Sequence, residues 1–586
     1  MITDNNRDDL LTDFGKSVML DRYLLKGESF QDLFKRVALY YSDNEDHAQR
    51  LYDYMSRLWF MPATPILANG GTDRGLPISC FLNQMEDSLK SISDIWNENV
   101  YLASSGGGIG TNISNVRSIN ESISKNRGKT SGIMPFVKVI DSQTSAISQG
   151  GIRRGSAAVY LDISHPEIEE FIDVRRPTGG DLNRKCLNVH HAVTIPDAFM
   201  QAVEKGEEWE LKSILENKTV NKVSARELWI KLLTARVETG EPYIYFTDTV
   251  NKGRSEVQKA LGLTIKTSNL CSEITLPTGK DHKGNVRTAV CCLSSLNLEY
   301  YDKWEENPDF IPDIMRFLDN VLSDFIKKAP EPMKNAVYGA ERERSVGLGV
   351  MGFHSFLQKK MVAIEGVMAK SWNKRMFKHI KEEADKSSHM LAKEKGACPD
   401  AIEAGLEERF SNKIAIAPTA SISIIAGSTS PGIEPFVANA YTQKTLSGSF
   451  TVKNKYLKEL LASKGQDTME VWSSVTTTNG SVQHLSFLTE EEKLVFKTAY
   501  EVNQSWLVEH SSDRTPFVCQ AQSFNIFFPG DVGKKELHIV HFDAWKKGLK
   551  TMYYCRSTSV QRADKVSNFA SSGDNENNGE ECLACQ

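Results

Sequence analysis

The chain has 586 residues, 40% of them hydrophobic and 25% charged, the composition of an ordinary globular protein, which excludes wholesale disorder. Seventy Lys+Arg against 75 Asp+Glu leave a formal charge of −5, with no bias toward nucleic acid or an anionic membrane. There is no apolar run of about 18 residues to span a bilayer, and the opening MetIleThrAspAsnAsn has no apolar signal core, so the expectation is a soluble cytoplasmic protein.

In chain order, residues 10–60 are expected to be helical. Leu20, Tyr23, Leu24, Leu33, Val37, Tyr40, Leu51, Tyr54 and Leu58 recur mostly at three- and four-residue steps, with charges between them. From 62 to 155 short apolar runs alternate with glycine-rich loops at 69–72, 104–110 and 148–155. Helical patterning returns over 195–245, and β-type runs flank GlyLysAspHisLysGlyAsn between 263 and 300. Helices and short apolar runs then alternate to Arg556, with no fixed-period repeat. Such alternation without a linker predicts one large α/β domain. The stretch from Gln561 to Glu581 is polar, acidic and rich in Gly, Ser and Asn, so it is expected to be disordered; it leads to Cys582-Leu-Ala-Cys585.

The chain has ten cysteines and no signal for export, which does not suggest a disulfide framework. Most are expected to be small buried hydrophobes. In SerAsnLeuCysSerGluIleThrLeuPro (268–277), Asn269, Cys271 and Glu273 are spaced two apart. In an extended segment they would share one face and bring an amide, a thiol and a carboxylate together. That set suits thiol-based catalysis with a glutamate acid/base; the bland alternative is a half-buried strand with an incidental cysteine. Cys80 and the adjacent Cys291 and Cys292 stand in β-like contexts, and only one of the adjacent pair can share a face with another thiol. The terminal CxxC has redox spacing; as half of a zinc site it lacks a second ligand pair, and the histidines, His190-His191 included, offer no metal spacing.

Two further motifs carry less. ProThrAlaSerIle (418–422) reads as a helix start with Thr419 and Ser421 as caps and amides able to hold a phosphate. GlyLeuGlyValMetGly (347–352) matches a dinucleotide fingerprint literally, but ArgGluArgSerVal precedes it where a strand should be, so a dehydrogenase is the weaker reading.

Together, Cys80, the Asn269-x-Cys271-x-Glu273 segment, Cys291, the terminal Cys582-x-x-Cys585, AlaThrProIle (63–66) and GlyGlyIleArg (150–153) resemble the catalytic large (α) subunit of ribonucleotide reductase, over about residues 58–586. The resemblance implies a ten-stranded α/β barrel of two antiparallel five-stranded halves with a central finger loop. It would divide the chain into an N-terminal helical region at 1–62, a catalytic barrel at 63–560 and a redox tail at 561–586. It implies Cys271 as the thiyl radical that takes the substrate's 3′ hydrogen, Glu273 as acceptor of the 3′-hydroxyl proton and Asn269 as a donor to the ribose hydroxyls. Cys80 and Cys291 would supply two electrons and close to a disulfide, while Cys292 packs. Cys582 and Cys585 would reopen that disulfide and be reduced by thioredoxin or glutaredoxin; the 27 residues from Cys555 to Cys582 reach roughly 30 Å as a flexible coil.

By the same resemblance, substrate phosphates lie on Thr419, Ala420, Ser421 and Ile422, helped by Thr64 and Ser79, with Gly107 and Gly108 letting backbone approach the nucleotide. Asp87 and Arg117 would bind a nucleoside triphosphate effector at a homodimer interface, and the loop around Arg153 would carry its signal. Tyr553-Tyr554 would pass the radical from a separate metal-containing small (β) subunit, as in class I enzymes; the chain itself would hold no cofactor or metal. The alternative is an adenosylcobalamin-dependent class II enzyme, in which the tyrosines merely pack. A catalytically silent regulatory subunit is a third reading, which the intact cysteine and glutamate set opposes. Cys80 comes early enough that no N-terminal ATP-cone is expected, so dATP should not inhibit through this chain.

Overall fold

The computed structural model describes residues 1–123, 128–149, 153–445 and 448–558. The chain opens with three capped helices. Helix α1 (Asp13–Arg22) starts at Thr12, whose Oγ1 accepts the Gly15 N–H at 3.0 Å. Helix α2 (Phe30–Tyr40) starts with a reciprocal Ser29/Asp32 capping box, and α3 (Glu45–Ser56) with Asn44. Tyr23, Leu33, Val37, Leu51, Tyr54 and Leu58 are buried, as the periodicity predicts, with Phe34 and Met55 buried beside them. Leu20 and Tyr40, counted in the same periodicity, face outward; the Tyr40 hydroxyl donates to Asp324 at 3.1 Å and its ring lies under the Lys328 ammonium. Arg50 pins α3 to the long helix Phe310–Lys328 with a two-pronged contact to Asp313 at 2.7 and 2.8 Å. Strand β1 (Phe60–Pro62) and helix α4 (Thr64–Asn69) lead into the sheet.

Five parallel strands make one half of that sheet, in the order β2 (Cys80–Gln84), β3 (Gly108–Asn112), β4 (Ser156–Asp162), β5 (His190–Ile195) and β6 (Tyr243–Phe246). The other half starts at β7 (Ala289–Asn297), parallel to β8 (Val346–Met351). It continues through two short extended segments joined by parallel bridges, Leu348 to Ile414 and Ile416 to Gln522. It ends at β9 (Thr551–Met552), held to the 522–524 segment by the Tyr553 N–H on the Phe524 carbonyl at 2.8 Å. The halves meet antiparallel at two seams, β2 against β7 and β6 against β9. The strands thus close into the ten-stranded barrel that the resemblance implies. Two of its strands are so short that only bridges and single backbone bonds mark them. GlyLeuGlyValMetGly is one barrel strand and its exit, not a nucleotide loop.

Residues 267–277 run through the barrel as a finger. Tyr160 of β4 donates its hydroxyl to the Asn269 carbonyl at 2.6 Å on one side. On the other, the Ala521 N–H reaches the Glu273 carbonyl at 2.8 Å, and the Ser523 hydroxyl reaches the Cys271 carbonyl at 2.6 Å. Gly110 of β3 is where the finger comes closest: a Cβ there would run into the Ser268 carbonyl. Both halves therefore hold the same loop. Among the described residues, no helix is long and apolar enough to cross a membrane.

Candidate active site

The first seam sets Cys80 directly opposite Cys291. Opposed residues of an antiparallel pair have Cα atoms about 4.5–5.5 Å apart, inside the roughly 4.4–6.8 Å that a disulfide spans. Both side chains are buried. Cys292 turns to the other face and is buried in the core, where burial raises its thiol pKa, so it packs as expected. The Asn269 amide donates to Cys80 Sγ at 3.3 Å, and the Gln520 amide to Cys291 Sγ at 3.6 Å. Glu273 Oε1 lies 4.0 Å from Cys80 Sγ.

The finger is not the extended strand that would place Asn269, Cys271 and Glu273 on one face by alternation. Ser272 has φ +61° and its N–H returns to the Asn269 carbonyl at 3.3 Å, so the chain turns at Cys271. The turn, and not a pleat, brings Asn269 back beside Glu273: the Asn269 Oδ1 accepts the Ile274 N–H at 3.2 Å, and its amide favours the Glu273 carboxylate. Glu273 is buried, and burial pushes its pKa to about 7. Its Oε2 sits 3.1 Å from the Ser523 hydroxyl. A carboxyl that titrates near neutrality, held between a thiol and two polar side chains, can both take and return a proton.

Cys271 belongs to a second, small apolar cluster with Tyr160, Tyr243, Tyr245, Leu270, Tyr553 and Tyr554. The Tyr553 and Tyr554 rings are 4.2 Å apart, and Tyr243 stands 4.7 and 5.1 Å from them. The pair follows β9 directly and does not point to opposite faces as two strand residues would. The Tyr554 hydroxyl is 3.3 Å from His190 Nδ1. His190 in turn meets Glu241, whose buried carboxyl is held well below the usual range by Arg175 and both histidines.

Thr419 lies in the left-handed region at φ +56°, and its Oγ1 accepts the Gly432 N–H at 2.7 Å instead of capping a helix. Ser421 precedes a single helical turn, Ile422–Ile425, without a side-chain cap bond, so the capping expectation is corrected. Among the described residues, the amides of Ala420, Ser421 and Ile422 reach no acceptor of the chain, while Ala420 packs on the Cys271 cluster. Helix α1 backs this turn, and Tyr23 of its C-cap shares a 2.9 Å contact with Thr64 Oγ1. Ser79 Oγ sits 3.7 Å from Cys80 Sγ. The chain's own groups already crowd Gly107 and Gly108: Phe81 the first, Leu270 of the finger the second. Asp87 and Arg117 pair with each other at 2.8 Å. The Arg153 side chain and Gly150, Gly151 and Ile152 lie outside the described residues, as do Cys582 and Cys585. Among the described residues, no cluster of His, Cys, Asp and Glu could hold a metal ion.

Sequence reasoning missed Gln520, Ser523, Tyr160, Tyr243 and the His190–Glu241 contact. The one local signal was CysGlnAlaGlnSerPheAsn at 519–525, which puts amides at alternate positions of a buried β-like run.

Comparison with known proteins adds the family. Residues 9–75 match "Ribonucleotide reductase, all-alpha domain", and residues 78–407 and 401–555 match "Ribonucleotide reductase, barrel domain". The ribonucleoside-diphosphate reductase large subunit of Invertebrate iridescent virus 3 is 40% identical, over 100% of both chains. That of Caenorhabditis elegans is 31% identical, over 95% of this chain and 77% of the relative. The solved Actinobacillus ureae class Id ribonucleotide reductase alpha subunit superposes with a TM-score of 0.83 at 33% identity, covering 96% of this chain and 100% of the other.

Proposed function

This chain belongs to the ribonucleotide reductase large-subunit family, and we propose that its finger, thiol seam and tyrosine cluster carry out thiyl-radical reduction of ribonucleoside diphosphates together with a small subunit. It is an oxidoreductase of deoxyribonucleotide synthesis and supplies DNA precursors. One observation carries the assignment of roles: a single buried loop presents Cys271 to the tyrosines, and Glu273 and Asn269 to the Cys80/Cys291 pair.

The Cys271 sulfur, as a radical, takes the 3′ hydrogen; S–H and activated C–H bonds are close enough in strength for the hydrogen to be returned. Glu273, poised near pH 7, takes the 3′-hydroxyl proton and so eases departure of the protonated 2′-hydroxyl as water. Asn269 orients the ribose hydroxyls. Cys80 and Cys291 give up two electrons and two protons and join as a disulfide, which Cys582 and Cys585 reopen before being reduced by a thioredoxin or glutaredoxin. The amides of Ala420, Ser421 and Ile422 would hold the substrate phosphates, and the Asp87–Arg117 pair an effector nucleotide at a homodimer interface. The radical would come from a metal-containing small subunit through Tyr554 and Tyr553; the similarity to a class I α subunit and the close contact of the two tilted rings support this over the cobalamin route.

The test is CDP reduction by the purified chain with dithiothreitol and an ATP effector, run alone, with adenosylcobalamin, or with the small subunit. Turnover only with the small subunit is expected. Turnover with cobalamin alone overturns the radical route and leaves the tyrosines as packing.

A further inference from the structure

We propose that Gln520 gives the reopening of the Cys80–Cys291 disulfide a direction: the incoming thiolate attacks Cys80, and Cys291 departs as a thiolate received by the Gln520 amide. The inference rests on the reading of these two cysteines as the reducing pair. Access comes first. Cys80 keeps 5% of its surface open and Cys291 none, so an incoming sulfur meets Cys80.

The leaving side is prepared as well. Gln520 Nε2 donates to the Val346 carbonyl at 3.1 Å and to Cys291 Sγ at 3.6 Å, and its Oε1 accepts the Thr275 N–H at 3.3 Å. A carbonyl can only accept and a backbone N–H can only donate, so these two neighbours fix which end of the amide faces the sulfur. The backbone under it is anchored too. Its N–H bonds the Ile414 carbonyl at 3.1 Å, and its carbonyl receives the buried Lys550 ammonium at 2.6 Å. That ammonium also takes the Val518 and Cys519 carbonyls, at 3.0 and 2.8 Å. Gly347 of β8 leaves the space the sulfur needs, since a Cβ there would stand 3.0 Å from Cys291 Sγ.

The opposite polarity is disfavoured. It would need the incoming sulfur to pass Cys80 and reach Cys291, which is wholly buried. Burial raises the Cys291 thiol pKa well above its ordinary value and the Gln520 amide works against that rise, so the amide is what lets Cys291 leave once Cys80 is attacked. The step balances: the attacking thiol first loses its proton to solvent and forms a new S–S bond to Cys80. The Cys80–Cys291 bond breaks, its electron pair goes to Cys291, and Cys291 then takes a proton from solvent. A second thiol on the reductant then loses its proton to solvent and attacks the reductant sulfur of the mixed disulfide; the bond to Cys80 breaks, and Cys80 leaves with the electron pair and takes a proton from solvent.

The experiment uses the full chain carrying Cys582→Ser and Cys585→Ser, with its small subunit. One pre-reduced turnover with CDP oxidises the pair; 2-mercaptoethanol is added, the reaction is acid-quenched and alkylated, and peptides are read by mass spectrometry. The expected result is the mixed disulfide on Cys80 and the alkyl group on Cys291. In Gln520→Leu and in the isosteric Gln520→Glu, adduct formation should slow about tenfold. An adduct on Cys291, an equal split, or variants that keep the wild-type rate overturn the proposal. The wild-type regiochemistry decides the matter even if a variant fails to fold. Absence of any Cys80–Cys291 disulfide after turnover instead overturns the assignment of the reducing pair.

Discussion

The two antiparallel seams of the barrel are built alike and equipped differently. At the β2/β7 seam the opposed residues are cysteines, each sulfur met by a side-chain amide, with a carboxyl alongside. At the β6/β9 seam the register runs on into tyrosine, with the rings of Tyr243, Tyr553 and Tyr554 within about 5 Å of one another in an apolar cluster. Sulfurs that exchange electron pairs pass through charged states and need donors. Tyrosines that pass one electron at a time, the role proposed for these, need ring contact and a place for the phenolic proton, which the Tyr554 hydroxyl has beside His190. The finger lies between, with Cys271 in the aromatic cluster and Glu273 at the thiols. On the proposed roles, one backbone arrangement, a strand end opposed across an antiparallel junction, would serve both chemistries once its side chains are changed.

The largest expected effect separates the seams outright. Tyr554→Phe removes a hydroxyl whose 3.3 Å contact to His190 is worth about 1 kcal/mol of stability. The chain should therefore fold normally, yet CDP reduction with the small subunit should drop to background. The Cys80/Cys291 thiols, tested by diamide oxidation and dithiothreitol re-reduction, should react as in the wild type. Altered thiol rates would mean that the seams are coupled through the finger, and the comparison would fail.

Glu273→Gln comes next, at roughly 10²–10⁴-fold, the usual worth of a positioned general base. The sign of the pH dependence follows from burial. Below about pH 7 the carboxyl is protonated and cannot accept the 3′ proton, so the pre-reduced single-turnover rate should rise through about pH 7 and then level. In Glu273→Gln that rise should vanish; a rise that survives assigns it to another group.

Much of this was legible in the sequence because it is local. The three- and four-residue apolar steps mark the helical region at 10–60, and the Asn-x-Cys-x-Glu spacing flags one loop. In the barrel half containing β2 to β6, the apolar runs between 62 and 155 mark β2 and β3, whereas β6 lies at the end of the stretch read as helical. The other half is not marked in this way: residues 414–416 and 520–523 are strands only because neighbours bond them, and no periodicity of two can emerge from three or four residues. For the same reason Gln520 and Ser523 stayed hidden, since their importance comes from Cys291 and Cys271, which are hundreds of residues away in the chain. The pleated reading of 269–273 failed at Ser272, where tertiary contacts on both sides of the finger hold a positive φ that local propensity disfavours.

Gly347→Ala sharpens the comparison on the thiol side with a moderate effect. The added methyl would stand 2.5 Å from Leu293 Cδ2 and 3.0 Å from Cys291 Sγ, an overpacking that costs roughly 1–3 kcal/mol in a close-packed core. Thermal unfolding should show that loss, and dithiothreitol re-reduction of the disulfide should slow because the sulfur is displaced from the Gln520 amide. The tyrosine seam should stay as it was, as read by turnover of the fully pre-reduced variant in its first cycle.

The smallest structural effect is expected outside both seams, at Asp87→Asn. The Asp87–Arg117 pair is partly exposed, so its loss should change stability by less than about 1 kcal/mol. Yet Arg117 is held by Asp87 through its side chain and its own N–H, and it also caps the carbonyls of Ser122 and Ile123. Freed from the carboxylate, the guanidinium loses its orientation, and an effector nucleotide that needs that orientation should bind more weakly while the substrate's own affinity holds. Equilibrium binding of dTTP and of CDP to Asp87→Asn separates the two. Equal weakening of both would place the pair in the support of the barrel and not in an effector site.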